Sequence, residues 1–370
     1  MSLIESVGEM LLNSTVAPQG DGGGGGEEAA VAEGGGIPVE VYTKLVPCII
    51  GLVTAVGLVG NSIVVYVIVC QGHLKTVTNY YIVNLAITDI SFLVFCAPLT
   101  ATIYATSHWM FGSFMCKFML YTMQVTAQAT CATLTAMSID RYYAITDPLK
   151  SLKTRTPRVA IVVSVAIWTF SALLAVPLIV YTGVKTDEYT VGNETYRYDN
   201  CVEMWPYPIF NLGYAVYSLV MLYLIPLTII GVCYAIVLNR LWKAVSPTEE
   251  SHAPVHVRML RQKRRVTRMI LAVVLAFAGC WAGNYAVAVW RRADPYFPAT
   301  HPAALVFQVA AHMLAYLNSC VNPFVYAFMG GNFRRQMARA FPCLGGDAKK
   351  GSAATDGPTG SLIKSKSTQV

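Results

Sequence analysis

The chain has 370 residues, of which 55% are hydrophobic and only 13% charged, with a mean hydropathy of +0.50. A water-soluble globule of that composition would lack the polar surface to cover itself, so a bilayer is the expected solvent. The formal charge of +7 reads as a topology signal and gives no support to nucleic-acid binding.

The first 44 residues are polar, with Gly22 to Gly26 and Gly34 to Gly36 around Glu27, Glu28 and Glu33. Such a segment buries too little apolar surface to fold alone, so 1–44 is expected to be a disordered outer N-terminus. It shows no basic stretch leading an apolar one, and the first span is expected to insert as its own signal.

Seven apolar runs follow, at about 45–70, 80–104, 114–139, 159–182, 212–238, 267–290 and 305–329. Each exceeds the roughly 20 residues that a helix needs to cross about 30 Å of hydrocarbon. Helices are expected because each satisfies its own backbone in lipid. Pro98, Pro177, Pro226 and Pro323 interrupt four of them. The predicted fold is an all-α seven-transmembrane helix bundle over 45–329.

Of the 27 Lys and Arg, an external N-terminus leaves only Lys44, Lys117, Lys185, Arg197, Arg291 and Arg292 outside. That asymmetry predicts N-outside, C-inside. Asn13-Ser14-Thr15 and Asn193-Glu194-Thr195 are glycosylation sequons on the outward side. Of the ten cysteines, Cys116 and Cys201 are the pair that this topology puts in an oxidising environment.

Beyond the seventh run, Phe333, Met337 and Phe341 recur every four residues beside Arg334, Arg335 and Arg339, predicting a membrane-surface helix over 330–343 that binds lipid headgroups. Cys343 is a candidate palmitoylation site. The stretch 344–370 is expected to be a disordered cytoplasmic tail, with Ser352, Thr355, Thr359, Ser361, Ser365, Ser367 and Thr368 as candidate phosphorylation sites. Thr368-Gln369-Val370 also fits a PDZ domain by β-augmentation.

Asp89 interrupts the second run, where a charge costs about 2.5–3.5 kcal/mol on insertion scales, so it is expected to face the bundle interior. Asn61, Asn84, Thr130, Asn318, Ser319 and Asn322 are candidates for the same layer. They make either a structural hydrogen-bond network or a sodium pocket formed by Asp89, Thr130, Asn318 and Asn322; the two are compatible.

Taken in order, Gly60-Asn61-Ser62-Ile63-Val64, Leu85-Ala86-Ile87-Thr88-Asp89, Asp140-Arg141-Tyr142, Trp168, Pro226 with Tyr234, Phe277 with Cys280-Trp281, and Asn322-Pro323-Phe324-Val325-Tyr326 resemble the motifs of rhodopsin-like (class A) G-protein-coupled receptors. Within that class the chain resembles the galanin, allatostatin-A and kisspeptin group. Gln128-Ala129-Thr130-Cys131-Ala132-Thr133 and Ala311-His312-Met313 look most like kisspeptin receptors, whereas Arg264-Arg265-Val266-Thr267 resembles galanin receptors about as well.

The resemblance implies a disulfide between Cys116 and Cys201, a peptide ligand, a heterotrimeric G protein as partner and no catalysis in the chain itself. It implies a resting Asp140–Arg141 pair, a sixth span swinging about Trp281 and Phe277, and an inner crevice lined by Arg141, Tyr234 and Tyr326. Tyr142 completes the third-span motif, Pro148 and Leu149 lead the second inner loop with Leu149 docking on the partner, and Pro226, Asn322 and Pro323 shape the moving spans. Where the family carries proline two residues after the sixth-span Trp, this chain has Gly283, which permits a bend without imposing it. Lys263 stands where an acid often forms a second lock, so that lock is expected to be absent.

For the ligand, Asp187, Glu188, Glu194, Asp199 and Glu203 predict a negative funnel in the second outer loop, with Glu203 tethered over the pocket by nearby Cys201. Helical spacing puts Gln124, Ala127 and Gln128 on one face beside Met123, opposite Asn284, Trp281, His312 and Tyr316, with Tyr104 alongside. Met123 stands where aminergic receptors carry an acid, which disfavours a monoamine. Neutral amides suit a peptide C-terminus such as the amidated Arg-Phe that the kisspeptin resemblance implies.

Rival classes fare worse. A retinal protein needs a lysine in the seventh run, and 305–329 has none. A transporter could bury Asp89 but does not account for Arg141 with Tyr326 and the basic third inner loop. The six His show no metal-ligand spacing, and no nucleophile–base pair can be assigned, so neither an enzyme nor a metal protein is expected.

Overall fold

The computed structural model describes residues 41–70, 76–191, 194–243, 254–298 and 301–341. The expectations for Asn13, Asn193, Cys343, the Gly-rich leader and the tail lie outside the described residues.

Seven long helices form one bundle: Tyr42–Cys70, Val77–Thr106, Gly112–Thr146, Pro157–Val180, Pro208–Leu241, Pro254–Ala293 and Pro302–Met329. Six are long and apolar enough to cross a membrane. The third is the exception by composition, and its position accounts for that. It packs against the second, fourth, fifth and sixth, and its 35 residues carry a buried series from Cys116 to Asp140 in which polar groups meet protein rather than lipid. The outer helices show the reverse: Leu52 on the first and Val162 and Phe170 on the fourth are about two-thirds exposed, as lipid-facing groups should be.

Local chemistry sets the helix ends and breaks. Thr76 and Thr156 cap the second and fourth spans, their hydroxyls accepting from the backbone N–H of Asn79 at 3.4 Å and Val159 at 3.3 Å. The second span breaks at Cys96 just before Pro98, and the fourth at Ala175 just before Pro177, where the ring removes a donor and crowds the preceding turn. Ahead of Pro226 the fifth span loosens into a π turn, Val220–Leu224. Pro323 sits inside the seventh span without ending it.

Several features differ from the sequence reading. The second outer loop adds a β-hairpin to the helical fold, with β1 (Thr182–Val191) antiparallel to β2 (Glu194–Glu203) and Thr182 opposite Glu203. The sixth helix starts at Pro254, because its charged first turns stay helical beyond the apolar run that betrays the span. A short helix, Pro148–Thr154, occupies the second inner loop, and Gly331–Ala340 lies after the seventh span, leaving Phe341 as its cap.

Candidate functional site: an outer mouth and an inner face

At the outer end, Cys116 and Cys201 are bonded, joining the top of the third span to β2. The join is reinforced by Trp109, which is 2% exposed in the cluster around that bond and whose backbone N–H donates to the Asp199 carbonyl at 2.7 Å. The hairpin therefore lies across the mouth of the bundle.

Glu203, two residues after the disulfide, is not a free anion. Its carboxylate accepts from Arg292 Nη2 at 2.8 Å and from the Trp205 indole at 2.8 Å, while Arg292 Nε donates to Asn211. Asp187 pairs with Lys185, and Glu188 with Arg197, each at 2.6 Å. Three of the five acidic residues of the predicted funnel are thus paired with basic residues of the same loop and of the sixth span's outer end.

Below the hairpin, Tyr104 and His312 meet at 3.2 Å, and the Tyr316 hydroxyl donates to Thr100 at 2.6 Å while its ring stacks on Phe92 at 4.8 Å. Met123 packs against this cluster. Gln124 donates to the Ser218 hydroxyl at 3.4 Å, and Ala127 is buried. Asn284 donates to the Ala311 carbonyl at 2.6 Å.

Gln128 departs from the expected face. It lines a groove between the third, fourth and fifth spans, away from His312 and Tyr316. The reason is helical drift: four residues turn about 400°, so each step of four rotates the row roughly 40° further round the helix.

At mid-depth Asp89, 1% exposed, accepts from the Asn322 amide at 2.8 Å. Thr130 and Asn318 are buried as well. Asn61 donates instead to the Gly57 and Ser319 carbonyls at 3.0 and 2.8 Å, tying the first span to the seventh. Asn84 joins Thr133 at 2.7 Å and Trp168 at 2.9 Å, a bridge among the second, third and fourth spans that stands apart from Asp89. The side-chain oxygens of Asn61 and Asn322 are buried without a protein donor. Among the described residues no group of three His, Cys, Asp or Glu could hold a metal ion.

Phe277 is 1% exposed, with its ring centroid 6.1 Å from that of Trp281. The sixth helix runs past Gly283 without a break. A Cβ there would come within 2.9 Å of the Ala311 Cβ, so glycine serves close approach to the seventh span.

At the inner end, Asp140 accepts from Arg141 Nη2 at 2.8 Å and from Arg155 Nε and Nη2 at 2.6 and 2.8 Å, while Arg141 also donates to the Thr78 hydroxyl. Arg265 of the sixth span donates to the Met329 carbonyl of the seventh at 2.7 Å. This hydrogen bond ties the inner end of the sixth span to that of the seventh.

Arg141 and Tyr326 line a cavity of 730 Å³ at this end of the bundle with Arg155, Arg261, Arg265 and Phe333. Tyr234 is buried beside it, and the hydroxyls of Tyr234 and Tyr326 meet no protein partner. Leu149 is 81% exposed at the head of the short inner helix, and Tyr142 and Tyr143 pack edge to face nearby.

Sequence reasoning missed Thr78, Arg155, Arg265 and Arg292 as partners. Each lies far along the chain from what it touches, and no local pattern marks it.

This arrangement, a seven-helix bundle with a disulfide-pinned mouth and an Asp–Arg pair at the inner end of its third span, is that of a transmembrane receptor, and residues 60–326 match the family described as 7 transmembrane receptor (rhodopsin family). The chain belongs to that family and is a multi-pass plasma-membrane protein. It is 40% identical to the KiSS-1 receptor of Mus musculus over 84% of this chain and 78% of the relative. It is 37% identical to the galanin receptor type 1 of Homo sapiens, over 83% of this chain and 84% of that one. It is 34% identical to the allatostatin-A receptor of Bombyx mori, over 84% and 83%.

Proposed function

We propose that this chain is a neuropeptide receptor of the kisspeptin type, with its N-terminus outside and its C-terminus inside, that drives GDP release from heterotrimeric G proteins. The observation that carries the reading is the inner latch: Arg141 is held by Asp140 and Thr78 at the edge of a basic cavity, where its release would clear room for a partner's helix. In this scheme Leu149 docks on the partner, Tyr234 and Tyr326 receive Arg141 when it swings away, and arrestin and receptor kinases act on the tail.

The ligand is taken to be a peptide with an amidated C-terminus that enters beneath the hairpin. Its amide meets Gln124, Asn284, His312 and Tyr104, and its cationic side chain competes with Arg292 for Glu203. Contact above Trp281 is passed through Phe277 to the sixth span. Asp89, with Thr130, Asn318 and Asn322, is the proposed holder of a sodium ion that favours the resting state; the ion's contribution is charge compensation alone. Phospholipase C signalling accords with the kisspeptin resemblance, and inhibition of adenylyl cyclase with the galanin resemblance.

The test is to express the chain, confirm surface delivery, and challenge it with amidated kisspeptin-type, galanin-type and allatostatin-A-type peptides while recording calcium and cyclic AMP. A calcium response strongest to the kisspeptin-type peptide is expected. Silence to all three would defeat the assignment.

A further inference from the structure

Gln128 carries a chemical demand that the peptide scheme does not meet. It is 4% exposed, and neither its carbonyl oxygen nor its amide nitrogen has a partner among the described residues. One turn above it Gln124 reaches Ser218, so the difference lies in position and not in residue type. Gln128 is one of the residues that line a groove of 310 Å³ whose walls include Cys131, Ile167, Phe170, Met221 and Pro226. That volume is within the range of small-molecule sites, roughly 300–1,000 Å³.

The groove faces the bilayer. Phe170 is 66% exposed and Met221 50%, on spans whose outer surfaces are apolar. Met221 also belongs to the π turn Val220–Leu224, a distortion that recurs at functional positions. A ligand must therefore arrive through the hydrocarbon and remain uncharged there. Its head must donate to Oε1 and accept from Nε2 side by side. A second carboxamide does both through two parallel hydrogen bonds, whereas an ester only accepts and a hydroxyl offers a single atom.

We propose that this groove is a membrane-side binding site for an uncharged long-chain fatty acid amide, its head paired with Gln128 and its chain lying along Phe170 and Met221. The site is separate from the outer mouth. The inference needs only the bilayer placement of the spans, so its failure leaves the peptide reading intact.

The test uses the full chain in phosphatidylcholine nanodiscs and an eighteen-carbon fatty amide bearing a photoreactive diazirine in its chain. Saturable labelling should map to the groove walls of the fourth and fifth spans, and unlabelled amide should compete at least ten-fold better than the methyl ester of the same chain. Gln128→Leu should cut saturable labelling ten-fold or more, and Ala166→Trp, a change at an exposed wall position, should abolish it. Equal competition by the ester, labelling unchanged in Gln128→Leu, or labelling confined to other surfaces would overturn the proposal. Should Gln128→Leu fail to reach the nanodisc, the amide-against-ester competition on the unaltered receptor decides.

Discussion

At the outer end the bundle is tied by a covalent bond from Cys116 to Cys201, a hairpin of two ten-residue strands and a Glu203–Arg292 ion pair. At the inner end the ties are non-covalent: Arg141 and Arg155 are ion-paired to one carboxylate, Asp140, Arg141 also donates to the Thr78 hydroxyl, and Arg265 donates to the Met329 carbonyl. The disulfide and the strand ladder hold the hairpin in place whether or not Glu203 stays paired. The inner ties can be exchanged, because a guanidinium released from one acceptor finds another in a polar cavity. A receptor requires that division, with a fixed mouth at one end and a replaceable latch at the other.

Breaking the outer tie should have the largest effect. Cys201→Ser removes a cross-link over a sequence separation of 85 residues, and loss of a native disulfide typically costs about 2–5 kcal/mol. Surface labelling against total receptor should show a severalfold fall in delivery, with peptide binding lost. Unimpaired delivery and binding would mean that the hairpin holds itself.

The inner latch should respond differently. Asp140→Asn leaves Arg141 and Arg155 without their shared anion, and breaking a buried pair costs roughly 3–5 kcal/mol. Here the resting arrangement bears the loss, so ligand-free nucleotide exchange should rise severalfold while peptide binding persists. An unchanged basal rate would show that Thr78 and Arg265 alone keep the inner face shut.

Between the two ends, Gly283→Ala tests how the sixth and seventh spans meet. The added Cβ at 2.9 Å from the Ala311 Cβ forces the helices apart, and overpacking of this kind costs about 1–3 kcal/mol. Thermal inactivation of purified receptor should occur at lower temperature. An unchanged profile would restore glycine's role as a hinge.

The smallest effect on stability is expected for Glu203→Gln. Its pair with Arg292 is partly exposed, at 22% and 23%, and such pairs contribute about 0–1 kcal/mol. Thermal inactivation should barely move, whereas the association rate of a cationic peptide should fall and lose part of its salt dependence. Equal rates for both forms would remove Glu203 from the ligand's path.

Much of this was legible in the chain because a bilayer makes hydropathy decisive: the span positions, the Asp140-Arg141-Tyr142 end and the breaks at Pro98 and Pro177 follow from local chemistry. The hairpin is marked only weakly, by Gly192-Asn193 between two β-rich runs whose charged residues blur the apolar alternation. Other features could not be read locally. Whether Gln128 joins Gln124 at the mouth or turns toward the fourth span depends on helix rotation, and the Arg155–Asp140 and Arg292–Glu203 pairs depend on tertiary approach. The reason for Gly283 likewise lies in Ala311, a residue on another helix.

The dependence of the inner latch on the outer mouth can be measured as a distance. Nitroxide labels at Lys153→Cys, in the short helix after the third span, and Arg261→Cys, on the sixth, both exposed positions, would be read by pulsed electron resonance in nanodiscs, with the exposed Cys48 and Cys70 replaced by Ser. Activating peptide should lengthen that distance, and Asp140→Asn should populate the longer distance without ligand. A distance unmoved by peptide, under conditions where the same receptor accelerates nucleotide exchange, would contradict the link between the two ends.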